Sequence, residues 1–248
     1  MKFLKEIVSV IMPAHDEGGQ IYKNIEETVR TFEEFGCDFE IIVVDDGSRD
    51  NTYNEAQRAS RSFKNITAVQ NKENYGKGRA LKKGFRYTKG EYVVFLDSDM
   101  DLHPVQIETF FDIMRLDNAD VVIGSKRHPN SKLEYPAHRR VVSAVYFFFV
   151  KILFGMPIRD TQTGLKLFKR QVLERVFPKI LVKKFAYDLE LLVLAHHFGY
   201  RIAEAPVVIK FQRGQWSRIG FRAILDTWLD TAAIWYRMYI LRYYDGQI

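Results

Sequence analysis

The sequence is poor in the features that would place it outside an ordinary reducing compartment. Cys37 is the only cysteine, so no intrachain disulfide can form, and a cytosolic setting is the simplest expectation. No secretory segment precedes the first apolar run, and no low-complexity linker or internal repeat is present. The uncharged stretch around residue 145 runs only from Val141 to Val150 before Lys151 interrupts it. That is well short of the ~20 residues needed to cross a bilayer. With 47% apolar and 27% charged residues, neither disorder nor a fibrous repeat is indicated. A chain of 248 residues can form one large domain with a substantial core, or a domain with an appendage. Its formal charge of +6 favours anionic partners such as nucleotides, lipid phosphates or an anionic membrane surface. Nucleic acid is not expected, because the basic residues are scattered over loops and no binding module is recognisable.

What is present is an alternation of short apolar runs with helical periodicities. Ile7 to Met12 reads as a buried strand ended by Pro13, and Ile21 to Phe35 carries helical spacing through Ile21, Ile25, Val29 and Phe32. Strands follow at Glu40 to Val44, Ile66 to Gln70 and Glu91 to Leu96, separated by helices over Thr52 to Ser60 and Gly76 to Tyr87. Near-continuous Val and Ile in the strands predict an α/β fold, a mostly parallel sheet covered by helices on both faces. Another strand-like run, Asp120 to Gly124, leads into a basic loop and then an aromatic-rich helix from Val141 to Phe154. The segment after Trp216 is amphipathic and aromatic.

Ligands of such sheets gather at the carboxyl ends of the strands. Acidic pairs sit at three of those ends: Asp16-Glu17, Asp45-Asp46 and Asp97-Ser98-Asp99. Alternating Asp97, Asp99 and Asp101 offer hard oxygen ligands suited to Mg2+ or Mn2+, which can also hold diphosphate oxygens. A calcium loop does not fit, because Leu102 stands where the sharp turn needs Gly and a strand precedes it. Gly76-Lys77-Gly78 is no dinucleotide fingerprint, since Leu81 replaces the third glycine. Lys77 and Arg79 can approach an anion near a helix start, or form a solvated basic face with Lys82, Lys83 and Arg86.

In order along the chain, Pro13-Ala14-His15-Asp16-Glu17, Asp45-Asp46-Gly47-Ser48, Gly76-Lys77-Gly78, Asp97-Ser98-Asp99 and Asp160-Thr161-Gln162-Thr163-Gly164 resemble the motifs of family 2 inverting glycosyltransferases. The match extends over roughly residues 7 to 220. Ile158 to Phe168 and Ala186 to Leu192 look most similar to the polyprenyl-phosphate branch, in particular dolichyl-phosphate β-glucosyltransferases. The resemblance implies a GT-A fold, Rossmann-like, as a catalytic domain over 1–220, and the residues beyond it read as a C-terminal amphipathic helical segment over 221–248.

It also implies roles. Pro13, Ala14, Asp16, Glu17 and Asp46 look like nucleotide contacts, with Gly76, Lys77 and Ser98 beside them. Asp97, Asp99 and Asp101 look like the metal and diphosphate site, although mannose synthases often carry Gln at the third position. Arg213 resembles an arginine that reaches the donor diphosphate, and Arg127, Arg139 and Ser143 resemble an acceptor-phosphate pocket. Asp160 and Gln162 are candidates to line the sugar site. Asp188 is a candidate to orient the acceptor or act as a base, with Glu190 beside it; the competing reading is a helix start with a leucine-rich core face. The implied reaction moves a hexose from a nucleotide sugar, UDP-glucose before GDP-mannose, to a polyprenyl or dolichyl phosphate. A glycan hydroxyl acceptor and a non-catalytic nucleotide-binding module remain alternatives. The implied setting is the cytoplasmic face of a membrane, touched peripherally by residues 141–154 and 221–248, unless those helices pack on the core or across a homodimer.

Overall fold

A computed structural model of the chain describes residues 6–133, 137–182, 186–209 and 221–246, with backbone alone for 133, 137–145 and 221–224. The first half alternates strand and helix: β1 (Val8–Ala14), α1 (Ile21–Phe35), β2 (Phe39–Asp45), α2 (Thr52–Ser62), β3 (Ile66–Gln70), α3 (Lys77–Phe85) and β4 (Tyr92–Phe95). Then come α4 (Ile107–Leu116), β5 (Val121–Ser125), β6 (Lys132–Leu133), α5 (Ala137–Phe154), β7 (Lys166–Lys169) and α6 (Arg170–Val176). The chain closes with α7 (Tyr187–His197), β8 (Ile202–Pro206), β9 (Val208–Ile209), α8 (Phe221–Trp235) and a π-helical turn, Tyr236–Ile240.

Seven strands form one sheet in the order β3-β2-β1-β4-β7-β5-β8. All its pairings are parallel except those of β7, which runs antiparallel between β4 and β5. Side chains alternate between the two faces, as the strand period requires. Val8, Val10 and Met12 pack with Ile25, Val29 and Phe32 of α1 and with Phe110 of α4. Ile11, on the other face, packs with Ala80 and Leu81 of α3 and with the leucines of α7. Both faces are therefore apolar, which is why the strands read as continuous Val and Ile runs.

One local result differs from the sequence expectation, and another bears on an alternative it left open. β1 continues through Pro13 to Ala14, in register with Val44 and Asp45 of β2. Its pairing with β4 ends at Ile11, so the missing N–H of Pro13 points past the end of that strand and breaks no ladder bond. The C-terminal segment also contributes to the core: Ile234, Met238 and Tyr244 are buried in the same cluster as α7. Glu190, fully buried on α7, accepts hydrogen bonds from the Tyr244 hydroxyl (2.5 Å), Arg237 (3.2 Å) and the backbone N–H groups of Leu181 and Val182.

Candidate active site

The carboxyl ends of β1, β2 and β4 lie side by side, and the loops that leave them are sewn together. Asp16 donates its N–H to Ser48 and accepts from the N–H of Arg49, both at 2.9 Å. Glu17 N–H reaches Thr52 Oγ1 and Gly18 N–H reaches Asp50, each at 2.8 Å. The carboxylate of Asp16 thus serves loop geometry. Asp46 plays a comparable part from the second strand end: its oxygens accept from Asn71 (2.7 Å) and from the N–H groups of Tyr75 (3.1 Å) and Gly76 (2.8 Å). Gly47, at φ +72°, lets the backbone of Glu73 and Asn74 pass where a Cβ would collide with it. Together Asp46 and Gly47 set the start of α3 and hence the position of Lys77.

Lys77 leans across to the third strand end, where its Nζ lies 2.5 Å from Asp97 Oδ1. Ser98 is held from below, its carbonyl accepting from the buried Asn24 of α1 at 2.7 Å. Met100 adopts φ 59°, a strained choice for a non-glycine residue, and the reversal brings the Asp101 N–H back to Asp99 Oδ1 at 3.1 Å. Gly164 packs so closely on the Asp97 carboxylate that any side chain there would displace it.

These residues surround two adjoining cavities. Pro13, Ala14, Glu17, Asp46, Lys77 and the Asp97-Ser98-Asp99 turn line a cleft of about 260 Å³. His15, within the Pro13-Ala14-His15-Asp16-Glu17 motif, and Asn74, which the sequence reading passed over, complete it. Lys77 and Asn74 also border a larger cavity of about 520 Å³, walled by Gly76, Gln162, Tyr187 and Asp188. Lys77 therefore stands at the junction of the two.

The electrostatics of the junction are uneven. Burial works to raise the Asp97 carboxyl, but the Lys77 ammonium outweighs it and holds Asp97 below the usual carboxylate range. Asp99 lacks such a partner; burial, then the charges of Asp97 and Asp101, push it up to about 6. A crowded carboxylate of this kind is a place where a divalent cation fits. Of the expected ligands Asp97, Asp99 and Asp101, the first two line the cleft. Asp101 is not among the cleft's lining residues, and among the described residues no three His, Cys, Asp or Glu side chains converge as metal ligands. Two carboxylates suffice for Mg2+ or Mn2+ when diphosphate oxygens complete the shell.

Other expected residues fall differently. Asp160 accepts from the N–H groups of Lys126 and Gln162, each at 3.0 Å, and from the Thr163 hydroxyl at 2.8 Å. It shapes the turn that presents Gln162 through these three hydrogen bonds. Arg127 lies with its guanidinium 4.9 Å from the Phe147 ring centroid, on α5. Arg139 and Ser143 belong to α5, but their side chains lie outside the described residues, as does Arg213. Sequence reasoning also missed Lys166, a buried lysine that meets Asp188 Oδ1 at 2.7 Å. Its signal was a lysine set among Leu165, Leu167 and Phe168.

A mostly parallel sheet with one antiparallel strand inserted beside the Asp-Ser-Asp turn, and a polar cleft over the strand ends, is the architecture of a GT-A glycosyltransferase. Glucosyl-3-phosphoglycerate synthase from Mycobacterium tuberculosis, solved with Mn2+, UDP and phosphoglyceric acid, has this fold: TM-score 0.71 at 19% identity, over 93% of this chain and 78% of that one. The family model for glycosyl transferase family 2 matches residues 9–177, and the chain belongs to that family. It is 31% identical to glycosyltransferase AglD of Haloferax volcanii over 81% of its own length and 32% of that protein's. It is 30% identical to a dolichyl-phosphate beta-glucosyltransferase of Trichomonas vaginalis, over 93% of its own length and 74% of that protein's. The chain thus spans about a third of the one relative and about three quarters of the other.

Proposed function

We propose that this chain transfers glucose from UDP-glucose to a polyprenyl or dolichyl phosphate, with inversion at the anomeric carbon. The observation that carries this reading is the pair of adjoining cavities that share Lys77, with Asp97 and Asp99 beside it in the smaller one. A nucleoside fits the cleft at the ends of β1 and β2, its diphosphate lies against Lys77, and the hexose enters the larger cavity beside Gln162 and Asp188. The name of the Trichomonas relative supports glucose and dolichyl phosphate as the substrates.

The reaction is one in-line displacement. An oxygen of the acceptor phosphate bonds to the anomeric carbon as the bond to the donor diphosphate breaks, and the electron pair departs with the nucleoside diphosphate. A phosphate monoester is already anionic near neutral pH, so no strong base is required, and rate rests on positioning and charge stabilisation. Asp99 with Asp97 would hold a divalent Mg2+ or Mn2+ ion, which neutralises charge on the leaving diphosphate. Lys77 supplies a fixed positive charge at the same place. Asp46 and Asp160 act through the backbone they hold, Asp16 through the loop beside it. Arg213 at the donor diphosphate, and Arg127, Arg139 and Ser143 at the acceptor phosphate, complete the proposed set.

A lipid acceptor calls for access to a membrane surface. Among the described residues no helix is long and apolar enough to cross a membrane. Phe148 and Ile152 of α5, Leu229 of α8 and Ile240 of the π-helical turn are 61%, 81%, 62% and 56% exposed, and we assign them to an interface with the cytoplasmic leaflet. NMR of the lipid-linked product tests the reaction: a β-linked hexosyl phosphate from the α-linked donor is expected, and a retained configuration contradicts a single displacement.

A further inference from the structure

Lys166 is 1% exposed, in the middle of the sheet, opposite Phe95 on β4 and Ile123 on β5. A methionine or leucine would pack there without the cost of taking an ammonium out of water. Its Nζ instead makes two hydrogen bonds: to the Thr163 carbonyl at 2.5 Å and to Asp188 Oδ1 at 2.7 Å. Thr163 follows Gln162, and Asp188 opens α7; Gln162 and Asp188 both wall the larger cavity. One buried atom therefore ties together the two chain segments that present polar side chains to that space. Lys166 takes up Oδ1 of Asp188, and Asp188 itself borders the larger cavity.

We propose that Lys166 is a positioning residue for glycosyl transfer, fixing the rotamer of Asp188 so that Oδ2 faces the hexose while the Thr163 carbonyl holds Gln162 in register with it. The inference rests on reading the larger cavity as the sugar end of the site. Lys166 touches neither substrate; it acts through Asp188. Lys77 approaches the same region from α3 but is committed to Asp97, so it does not substitute for Lys166.

A double-mutant cycle on the full chain tests this. Lys166→Met, Asp188→Asn and the pair are compared for kcat of transfer to polyprenyl phosphate, and for UDP affinity by calorimetry. Lys166→Met is expected to lower kcat about tenfold or more with UDP affinity within threefold of wild type. On the Asp188→Asn background it is expected to add less than about twofold. Should Lys166→Met not fold, Lys166→Arg carries the same comparison, because it keeps the buried charge but not the single-atom bridge. Losses that multiply, or a Lys166 variant with wild-type kcat beside a slow Asp188→Asn, overturn the role of Lys166. An Asp188→Asn variant with wild-type kcat instead overturns the reading of the cavity, and the proposal with it.

Discussion

Lys77 Nζ sits 2.5 Å from Asp97 Oδ1, so the side chain that opens α3 neutralises the carboxylate that closes β4. Each is about a third exposed, and the pair spans the junction between the two cavities. Donor and cation must both act on this contact. A diphosphate competes with Asp97 for the ammonium, and a divalent ion competes with the ammonium for Asp97.

Replacing Lys77 with Met therefore separates the two. Removing a positive charge a few ångströms from the carboxylates favours divalent-cation binding by about 1–2 kcal/mol even at the dielectric of bulk water. Calorimetry is expected to show Mn2+ binding to the nucleotide-free variant roughly tenfold tighter, while UDP-glucose binds more weakly. Unchanged affinities for both would remove Lys77 from the site.

Asp99 supplies a pH test. Its carboxyl titrates near 6 because burial and then Asp97 and Asp101 disfavour the charged form. A proton and a metal ion compete for it, so Mg2+ or Mn2+ affinity is expected to be level above about pH 7 and to fall as pH drops through 6. Asp99→Ala should flatten that profile and cut turnover at saturating metal by about a hundredfold or more, the scale of losing one strong electrostatic contact in a transition state.

Much of this was legible beforehand, and the limits have physical causes. Ile21–Phe35 and Ile66–Gln70 have the predicted bounds, since apolar periodicity alone decides them. The ends of β1, β2 and β4 were found because acidic residues interrupt apolar runs there. β7 was not found. Four residues carrying two lysines give no strand period, and the strand exists because β4 and β5 flank it. Lys166 lies inside the Ile158 to Phe168 run, but burial of a lysine is a tertiary fact. The Asp46 and Asp160 carboxylates read as ligand contacts, and the hydrogen bonds they accept from Asn71, Tyr75, Gly76 and Lys126 come from residues that only the fold brings near.

Asp160 gives a stability prediction. Burial acts to raise its carboxyl, but Lys126 and the three hydrogen-bond donors hold it below its ordinary value. A depressed carboxyl contributes stability that is present above the unfolded pKa of about 3.9 and lost as pH falls through the folded value. Urea midpoints followed from pH 7 to pH 3 are expected to fall in acid, and Asp160→Asn to lower the midpoint at pH 7 and weaken that fall.

Glu190 ties the C-terminal turn to α7 through Tyr244 and Arg237. Tyr244→Phe leaves a buried carboxylate short of one donor and should cost about 1–3 kcal/mol. Denaturant unfolding checks this: the midpoint falls in one cooperative transition with m unchanged, whereas a separate early transition would mean that residues 236–246 unfold apart from α7.

Release of nucleoside diphosphate from UDP-glucose, with Mg2+ or Mn2+ and a short polyprenyl phosphate each supplied or withheld, bears most directly on the proposed reaction. UDP release that requires both the metal and the lipid phosphate is the expected result. Release that ignores the lipid phosphate, or no release from any nucleotide sugar, would contradict it.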